Sequence, residues 1–548
     1  MRGWVLGATT DVPSRMLPVK KAVSPIRYFD EARLALAGWM SERYVAPLAA
    51  VLGRMTPPRV AGEEARAEGV RPASGGGTPV PSLLGAYRRG ADLVRAARSG
   101  GHAAFSVRPA PEDEVGVVVE LVDACLEGGR RALVIVPEAA PVPATAAALA
   151  AAFGDRVGVF LGGSPRLRYR MWLGIQAGRY DVVVGTRPAV FAPLRGLGLI
   201  LVSRESHPAH REDRAPYYHV RDVALRRAEI EGVPCVLSAV CPSSEAAALA
   251  LPLVEPAGRR WPPVEVVKPA PEGQAPRLVR ALAGAGRAFL FSPLPGAGVA
   301  AVCRSCRQPA ACAACGGRLR SEEGAVRCLV CEAPGRCANC GASDFGLRRG
   351  GAERVEAWAR RATTARVIRL KEGDPPRLPS PGEVLVGGPD DVRDLGPGGL
   401  DLVGILDADL AERRPGLSAR ERALTTWMEA IGWARPGGRA IVQASRAADP
   451  GVQALVRGNP DRFHDDERRR RQAAGFPVGA PVFRVAGSGD LPDQLALLRP
   501  ITLLTTRDGE RTVCLLALEP GEVPAFGRIA RELAVSGAIE RVEAEPHL

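Results

Sequence analysis

At 548 residues with a 46% hydrophobic fraction, the chain is long enough for three or four domains with apolar cores, which excludes a disordered protein. Its 73 Lys and Arg against 60 Asp and Glu leave a formal charge of +13, which favours a polyanionic partner, nucleic acid above all, although the two signs are mostly interspersed. No charged leader with an apolar segment stands at Met1 and no apolar run reaches membrane-spanning length, so the sequence predicts a cytoplasmic protein with no membrane partner.

Residues 2–7 read as a strand, residues 29–43 as an amphipathic helix, and Pro47 opens a shorter helix through Leu52. This piece, residues 1–56, is small for an independent domain, which suggests sequence missing upstream. Residues 57–81 are rich in Gly, Pro and charge and read as a linker. Over 82–264 apolar runs at 132–138, 181–186, 197–203 and 234–240 alternate with helical segments such as Val115–Leu126 and Tyr218–Glu231. Strands of that kind, alternating with helices, argue for a parallel sheet covered on both faces. A second α/β set covers 265–302 and 346–464, with strands at 288–294, 366–370, 383–387, 401–407 and 438–444. Residues 465–548 form a small α+β tail that opens on the basic run Arg468–Arg471. Cys125, Cys235, Cys241 and Cys514 lie in apolar segments and read as buried thiols.

Between the halves of the second set, residues 303–345 hold eight cysteines in four Cys-x2-Cys pairs, with five, twelve and five residues between successive pairs. Two thiolates two residues apart on a tight turn grip one tetrahedral metal, so four pairs make two four-sulfur zinc sites. Intracellular pairs at this spacing point to metal rather than to disulfides. A nested pairing puts Cys303, Cys306, Cys337 and Cys340 on one ion and Cys312, Cys315, Cys328 and Cys331 on the other. A sequential pairing takes the first four and the last four. The five-residue gaps make cramped loops, whereas 316–327 suits a hairpin returning to its own metal, which favours nesting. With no open coordination position, both sites are structural.

The segments GTRPAVFAPLRGLGLILV (185–202), APYYHVRDVALRRAEIEGVPCVL (215–237), the cysteine run and VGILDADLAERRPGLSARERAL (403–424) together resemble the PriA family of replication restart proteins. PLAAVL (47–52) and RRRQAAGFPVGAP (469–481) extend the likeness over most of the chain. The resemblance implies two RecA-like helicase lobes, an inserted two-zinc module with nested pairing, a truncated N-terminal domain for the 3′ end of DNA and a small C-terminal domain. It also implies a role on branched DNA at abandoned or stalled forks. The implied partners are helicase-loading and other primosome proteins, and single-stranded DNA-binding protein.

The family's motor uses ATP, and here the residues depart from it. A phosphate-binding loop needs G-x4-G-K-[ST], whose amides, lysine and hydroxyl hold phosphates and magnesium. Residues 108–115 read RPAPEDEV, with no glycine and with Glu114 at the lysine position. The magnesium-binding Asp-Glu-x-His box is replaced by Ser203, Arg204, Glu205 and Ser206. The arginine-finger segment reads Gly432-Trp433-Ala434-Arg435-Pro436, and the coupling motif Ser238-Ala239-Val240-Cys241 lacks its last hydroxyl. No catalytic and no ATP-binding residue is expected, and the lobes read as a scaffold resembling a helicase-deficient branch found in high-GC Gram-positive bacteria. The residues leave two other classes open: an active ATP-dependent helicase, and a zinc-ribbon scaffold outside replication.

Other features have plainer readings. Lys20 and Lys21 read as a solvated loop. Arg166, Arg168 and Arg170 around Tyr169 and Trp172 suit either single-strand contact or an exposed helix face. His207, His210 and His219 read as solvated loop histidines, Asp407 and Asp409 as a helix cap and loop anchor, and Arg468–Arg471 as a solvated face.

Overall fold

The computed structural model describes residues 3–6, 21–64, 80–270, 274–292 and 299–546, except 307, 309, 315–318, 323–324, 329–332, 350, 372–373, 375–376, 389–398, 410–415, 489–490 and 509–510. Two α/β units dominate it. In the first, eight strands lie in the spatial order 87–88, 253–256, 103–107, 234–238, 197–203, 131–135, 182–185 and 157–160. All pairs are parallel except the outermost, Tyr87–Arg88 with Leu253–Pro256. The second sheet has six parallel strands in the order 366–369, 383–387, 287–291, 400–405, 434–443 and 264–267.

The central strands, such as Leu133–Ile135, Val182–Gly185, Leu197–Val202 and Val384–Gly387, are continuous apolar runs because both faces of each sheet are covered there. Along Arg131–Ile135 and Leu197–Ser203 the side chains alternate between two cores. Leu133, Ile135, Ile200 and Val202 face one of them, and Ala132, Val134, Leu199 and Leu201 face the other. The first core also holds Leu36 and Met40 of the helix Glu31–Arg43, Val51 and Leu52 of the helix Leu48–Met55, and Phe483, Cys514 and Phe526 of the tail. Burying each such side chain is worth about 1.5–3 kcal/mol, so the N-terminal helices, the tail and one face of the first sheet are joined in one continuous apolar core. The tail is a four-stranded antiparallel sheet, Thr502–Asp508, Arg511–Ala517, Val482–Gly487 and Ile539–Ala544, backed by the helix Val523–Val535. The helix Asp461–Ala473 runs through the 464/465 boundary drawn from sequence.

Several sequence expectations are corrected. Residues 3–6 form no strand, and Arg2 and Gly7 lie outside the described residues; Trp4 instead meets Phe29 edge to face at 5.9 Å. The short strands at 87–88, 103–107, 157–160, 253–256 and 264–267 went unread, because runs of two to five residues carry little periodic signal. The segment from 57 is not wholly a linker: Ala61–Glu64 is a helical turn docked on the helix Pro165–Gln176. Glu63 is buried, accepting from Arg166 Nε at 2.5 Å and Arg170 Nε at 2.6 Å. Glu64 accepts from Arg59 at 2.7 Å through both oxygens and from the Tyr169 hydroxyl at 2.5 Å.

Those partners, Arg170 and Arg166 for Glu63 and chiefly Arg59 for Glu64, hold both carboxyls down near about 2. With depressed values, their stabilisation is present above the ordinary 4.5 and is lost as pH falls from there through about 2. The paired substitution Glu63→Gln and Glu64→Gln is therefore expected to speed tryptic cutting within 57–81 severalfold at pH 7, leaving the circular dichroism of the core unchanged. An unchanged cutting rate would show that the docking depends on neither carboxylate.

Candidate metal centre and interdomain cleft

The strands Val299–Cys303 and Phe345–Arg349 pair antiparallel with Cys303 opposite Phe345, which brings the first cysteine pair to the fourth. Each pair sits on a tight turn. The Cys303 amide donates to the Gln308 carbonyl at 2.9 Å, and the Cys337 amide donates to the Ala342 carbonyl at 2.8 Å. Gly341 follows the fourth pair at φ +73°, a left-handed conformation that a side chain would strain. The Sγ atoms of Cys303, Cys306, Cys337 and Cys340 all lie within 4.8 Å of one another. Cys303 to Cys340 and Cys306 to Cys337 are both 3.6 Å. A tetrahedral ion with Zn–S bonds of about 2.3 Å separates its sulfurs by about 3.8 Å, so the donor set fits zinc. Desolvation, the largest single influence, raises the Cys306 thiol, but hydrogen bonds from the Gln308 amide, the Asn339 side chain and the neighbouring Cys340 and Cys337 together outweigh it and pull the thiol down to about 6, toward the thiolate a metal needs.

Of the second expected set, Cys312 and Cys328 are buried in one small apolar cluster with Ala310 and Leu319. The strands Leu319–Glu322 and Ala325–Cys328 form the hairpin between them. Cys315 and Cys331 lie outside the described residues. Cys125, Cys235, Cys241 and Cys514 are all buried.

The loop aligned with a phosphate cradle follows the strand Ala103–Val107 at the carboxyl edge of the first sheet, where open α/β sheets place ligands. Three of its amides are spent within the protein. Arg108 N–H donates to the Val254 carbonyl at 2.9 Å, Ala110 N–H to the Tyr87 hydroxyl at 3.0 Å, and Asp113 N–H to the Ala110 carbonyl at 2.9 Å. Pro109 and Pro111 have no N–H to give. The Tyr87 hydroxyl donates to Asp113 at 2.8 Å, and Arg260 pairs with Asp113 and with Glu112.

Glu114 opens the helix Glu114–Glu127. Its carboxylate receives Arg204 Nε at 3.1 Å and Nη2 at 3.3 Å, a two-pronged pair in which Arg204 is 3% exposed and Glu114 8%. The charges are inverted relative to a nucleotide site: an acid stands at the lysine position and an arginine in the acidic box. Arg204 sits at φ +50°, just past the strand Leu197–Ser203, and its Nη1 also lies 3.8 Å from Glu429 of the helix Ala419–Ile431. Glu205 is fully buried, accepting from Arg221 at 3.0 Å and from the Ser243 amide and hydroxyl at 3.0 and 2.7 Å, so it braces neighbouring helices. Arg435 pairs with Asp401 at 2.5 Å. Sequence reading saw Glu114 and Arg204 as two separate losses. The signal that joins them was their opposite sign at two positions that face each other in nucleotide-binding sheets.

The remaining candidates resolve as follows. Tyr169 and Trp172 are buried against Tyr28, with Tyr28 and Trp172 stacked at 5.1 Å, so they offer no stacking platform to a base. His210 is buried rather than solvated; burial pushes it down to about 4, and its Nε2 lies 2.8 Å from the Ser203 carbonyl. His207 and His219 accept through Nδ1 from the amides of Ala209 and Arg221, so both cap helical turns. Asp407 accepts from Gln443 at 2.8 Å, and Asp409 from the Ser445 amide at 2.6 Å, so both anchor the loop after the strand Leu400–Ile405, and residues 410–415 lie outside the described residues. Arg468, Arg469 and Arg470 are exposed, but Arg471 is buried and bound to Glu245, Glu421 and Glu467. Lys21 is exposed, and Lys20 lies outside the described residues. No described helix is long and apolar enough to cross a membrane.

No family model matches the sequence. Curated relatives do. The replication restart protein PriA of Treponema pallidum is 30% identical over 498 residues, covering 83% of this chain and 74% of its own. The "Probable replication restart protein PriA" of Mycobacterium tuberculosis strain H37Rv is 29% identical over 475 residues, covering 77% and 72%. PriA of Bacillus subtilis is 25% identical over 406 residues, covering 66% and 50%. Among solved structures, the DUF1998 helicase MrfA bound to DNA matches with a TM-score of 0.34 and 12% identity over 77% of this chain and 59% of its own.

Removing one partner of a buried ion pair strands the other charge, at a cost of about 3–5 kcal/mol. Glu114→Gln is therefore expected to lower stability to chemical denaturation by about that amount, whereas Glu112→Gln, on an exposed side chain, should stay within about 0.5 kcal/mol of the parent. Equal effects from the two substitutions would mean that Arg204 does not depend on Glu114.

Proposed function

Because the chain belongs to the PriA family of replication restart proteins, we propose that it acts at abandoned or stalled replication forks, binding branched DNA and promoting primosome assembly and reloading of the replicative helicase without hydrolysing ATP. Its two α/β units serve as degenerate helicase lobes. Helicase-loading proteins and single-stranded DNA-binding protein are the proposed partners, and the net charge of +13 supports contact with the phosphate backbone.

The observation that carries the loss of catalysis is the Arg204–Glu114 pair. A nucleotide triphosphate needs cationic and amide donors on the loop and carboxylates opposite to hold magnesium. This chain presents carboxylates on the loop and a guanidinium opposite, already neutralising one another. ATP hydrolysis is therefore expected to stay at background with or without fork DNA. DNA-stimulated turnover on the order of 1–100 s⁻¹, tracking the protein through purification, would overturn this part of the reading. Fork, duplex and single-stranded DNA compared by gel shift at stated salt test the other part. Preference for forks supports it, while equal binding that falls steeply with salt marks electrostatic contact alone.

We further propose two zinc ions per chain. Cys303, Cys306, Cys337 and Cys340 hold one, and Cys312, Cys315, Cys328 and Cys331 hold the other. Elemental analysis should return about two ions, and Cys312→Ser about one, since the outer ligands form their own set. A folded sample containing no zinc would refute both sites.

A further inference from the structure

Two helices of the second unit reach across the cleft, and each does so with a single stripe of side chains. On Ala419–Ile431 the contacting positions are 421, 425 and 429, continued by 432. That spacing of four, four and three lies along one helix face. Glu421 accepts from the Ser244 amide at 3.0 Å and from Arg471 at 2.7 Å. The Thr425 hydroxyl lies 3.8 Å from Cys241 Sγ, and Glu429 lies 3.8 Å from Arg204. At Gly432 a Cβ would fall 2.7 Å from the Pro111 side chain, so the two units are in contact where the cradle-aligned loop begins to turn. On Asp461–Ala473 the contacting positions are 461, 464 and 471, again one face. Asp461 pairs with Arg108 at 2.5 Å, His464 Nδ1 lies 3.3 Å from the Ser244 hydroxyl, and Arg471 reaches Glu245 at 2.6 Å. Between the sheets, Arg260 of the connecting segment turns back to Glu112 and Asp113.

We propose that these stripes form a built-in clamp, in which the second unit's own carboxylates and an inverted ion pair occupy the cleft and hold the two units in one closed arrangement independently of nucleotide. The chemistry is self-consistent. In a motor the charge that draws the units together belongs to the nucleotide and leaves with hydrolysis. Here every charge named is covalently part of the chain. Arg204 is shared between Glu114 of its own unit and Glu429 of the other. Arg108 is shared between Glu255 and Asp461 in the same way. Each arginine is a tenth exposed or less, so opening the cleft would take Glu429 from the buried Arg204 and Asp461 from the buried Arg108, giving up the half of each arrangement that joins the units.

The clamp rests on the reading that the cleft holds no nucleotide, and the test separates the two. Small-angle scattering and hydrogen exchange are measured on the full zinc-loaded chain with and without magnesium-ATP. The parent is expected to show the same radius of gyration and the same exchange in both conditions. The variant carrying Glu421→Gln and Glu429→Gln should enlarge the radius and speed exchange on the order of ten-fold, both in the first turn of Glu114–Glu127 and along Ala419–Ile431. Asp461→Asn, a change at an exposed carboxylate, serves if the double variant does not fold, and should speed exchange in the same two places. A parent that changes shape with nucleotide, or variants whose exchange matches the parent, would overturn the clamp. ATP turnover without any change in scattering would instead overturn the proposed loss of catalysis and leave the clamp standing.

Discussion

An arginine and a glutamate that are each less than a tenth exposed must neutralise one another, because either alone at the sheet edge would carry the full cost of a desolvated charge. Arg204 and Glu114 meet that demand at the carboxyl rim of the first sheet, where open α/β sheets form their ligand crevice. Much of the local backbone follows from it. Glu114 begins a helix, where a carboxylate also suits the positive end of the helix dipole. Arg204 takes a left-handed conformation immediately after its strand, which turns its side chain back over the sheet edge. The loop before Glu114 closes on its own hydrogen bonds and on Tyr87. A crevice that in a nucleotide-binding sheet has to stay polar and open is instead self-satisfied.

The cysteine module follows a different constraint and stands apart from this one. It has a small apolar cluster of its own around Ala310, Cys312, Leu319 and Cys328, too small to hold a fold unaided. Four thiols within bonding distance of a shared centre are what make such a module stable, since metal binding then supplies folding free energy directly. Its attachment is the antiparallel pair Val299–Cys303 and Phe345–Arg349, which delivers the first and last cysteine pairs to the same point.

How much of this was legible in the sequence depended on the range of the interaction. Runs such as Val182–Gly185 and Leu197–Ser203 declare buried parallel strands because every residue in them before the terminal Ser203 is apolar. The meeting of Cys303 and Cys306 with Cys337 and Cys340 was readable from loop lengths, since short gaps leave few closures. Buried polar contacts between distant segments were not. Glu63 lies in a stretch whose composition says linker, yet it is buried beneath two arginines more than a hundred positions away in sequence. His210 and Arg471 sit in polar runs that read as solvated, and only the packing of other elements encloses them. Local pattern reports which face of an element is apolar; it does not report which charges on the polar face will find a partner and be covered.

On the proposed reading, a chain without a motor's phosphate and magnesium residues still has a use for both of its sheets. The N-terminal helices and the tail share one continuous apolar core with one face of the first sheet, to which Leu36, Met40, Phe483 and Phe526 all belong. Arg471, in the helix that leads into the tail, is bound to Glu421 of the second unit and Glu245 of the first. On the proposed reading, DNA-binding parts that must act together at a fork need fixed relative positions more than they need movement. Two sheets joined by charges that cannot leave supply that fixity, whereas sheets joined through a hydrolysable ligand would not.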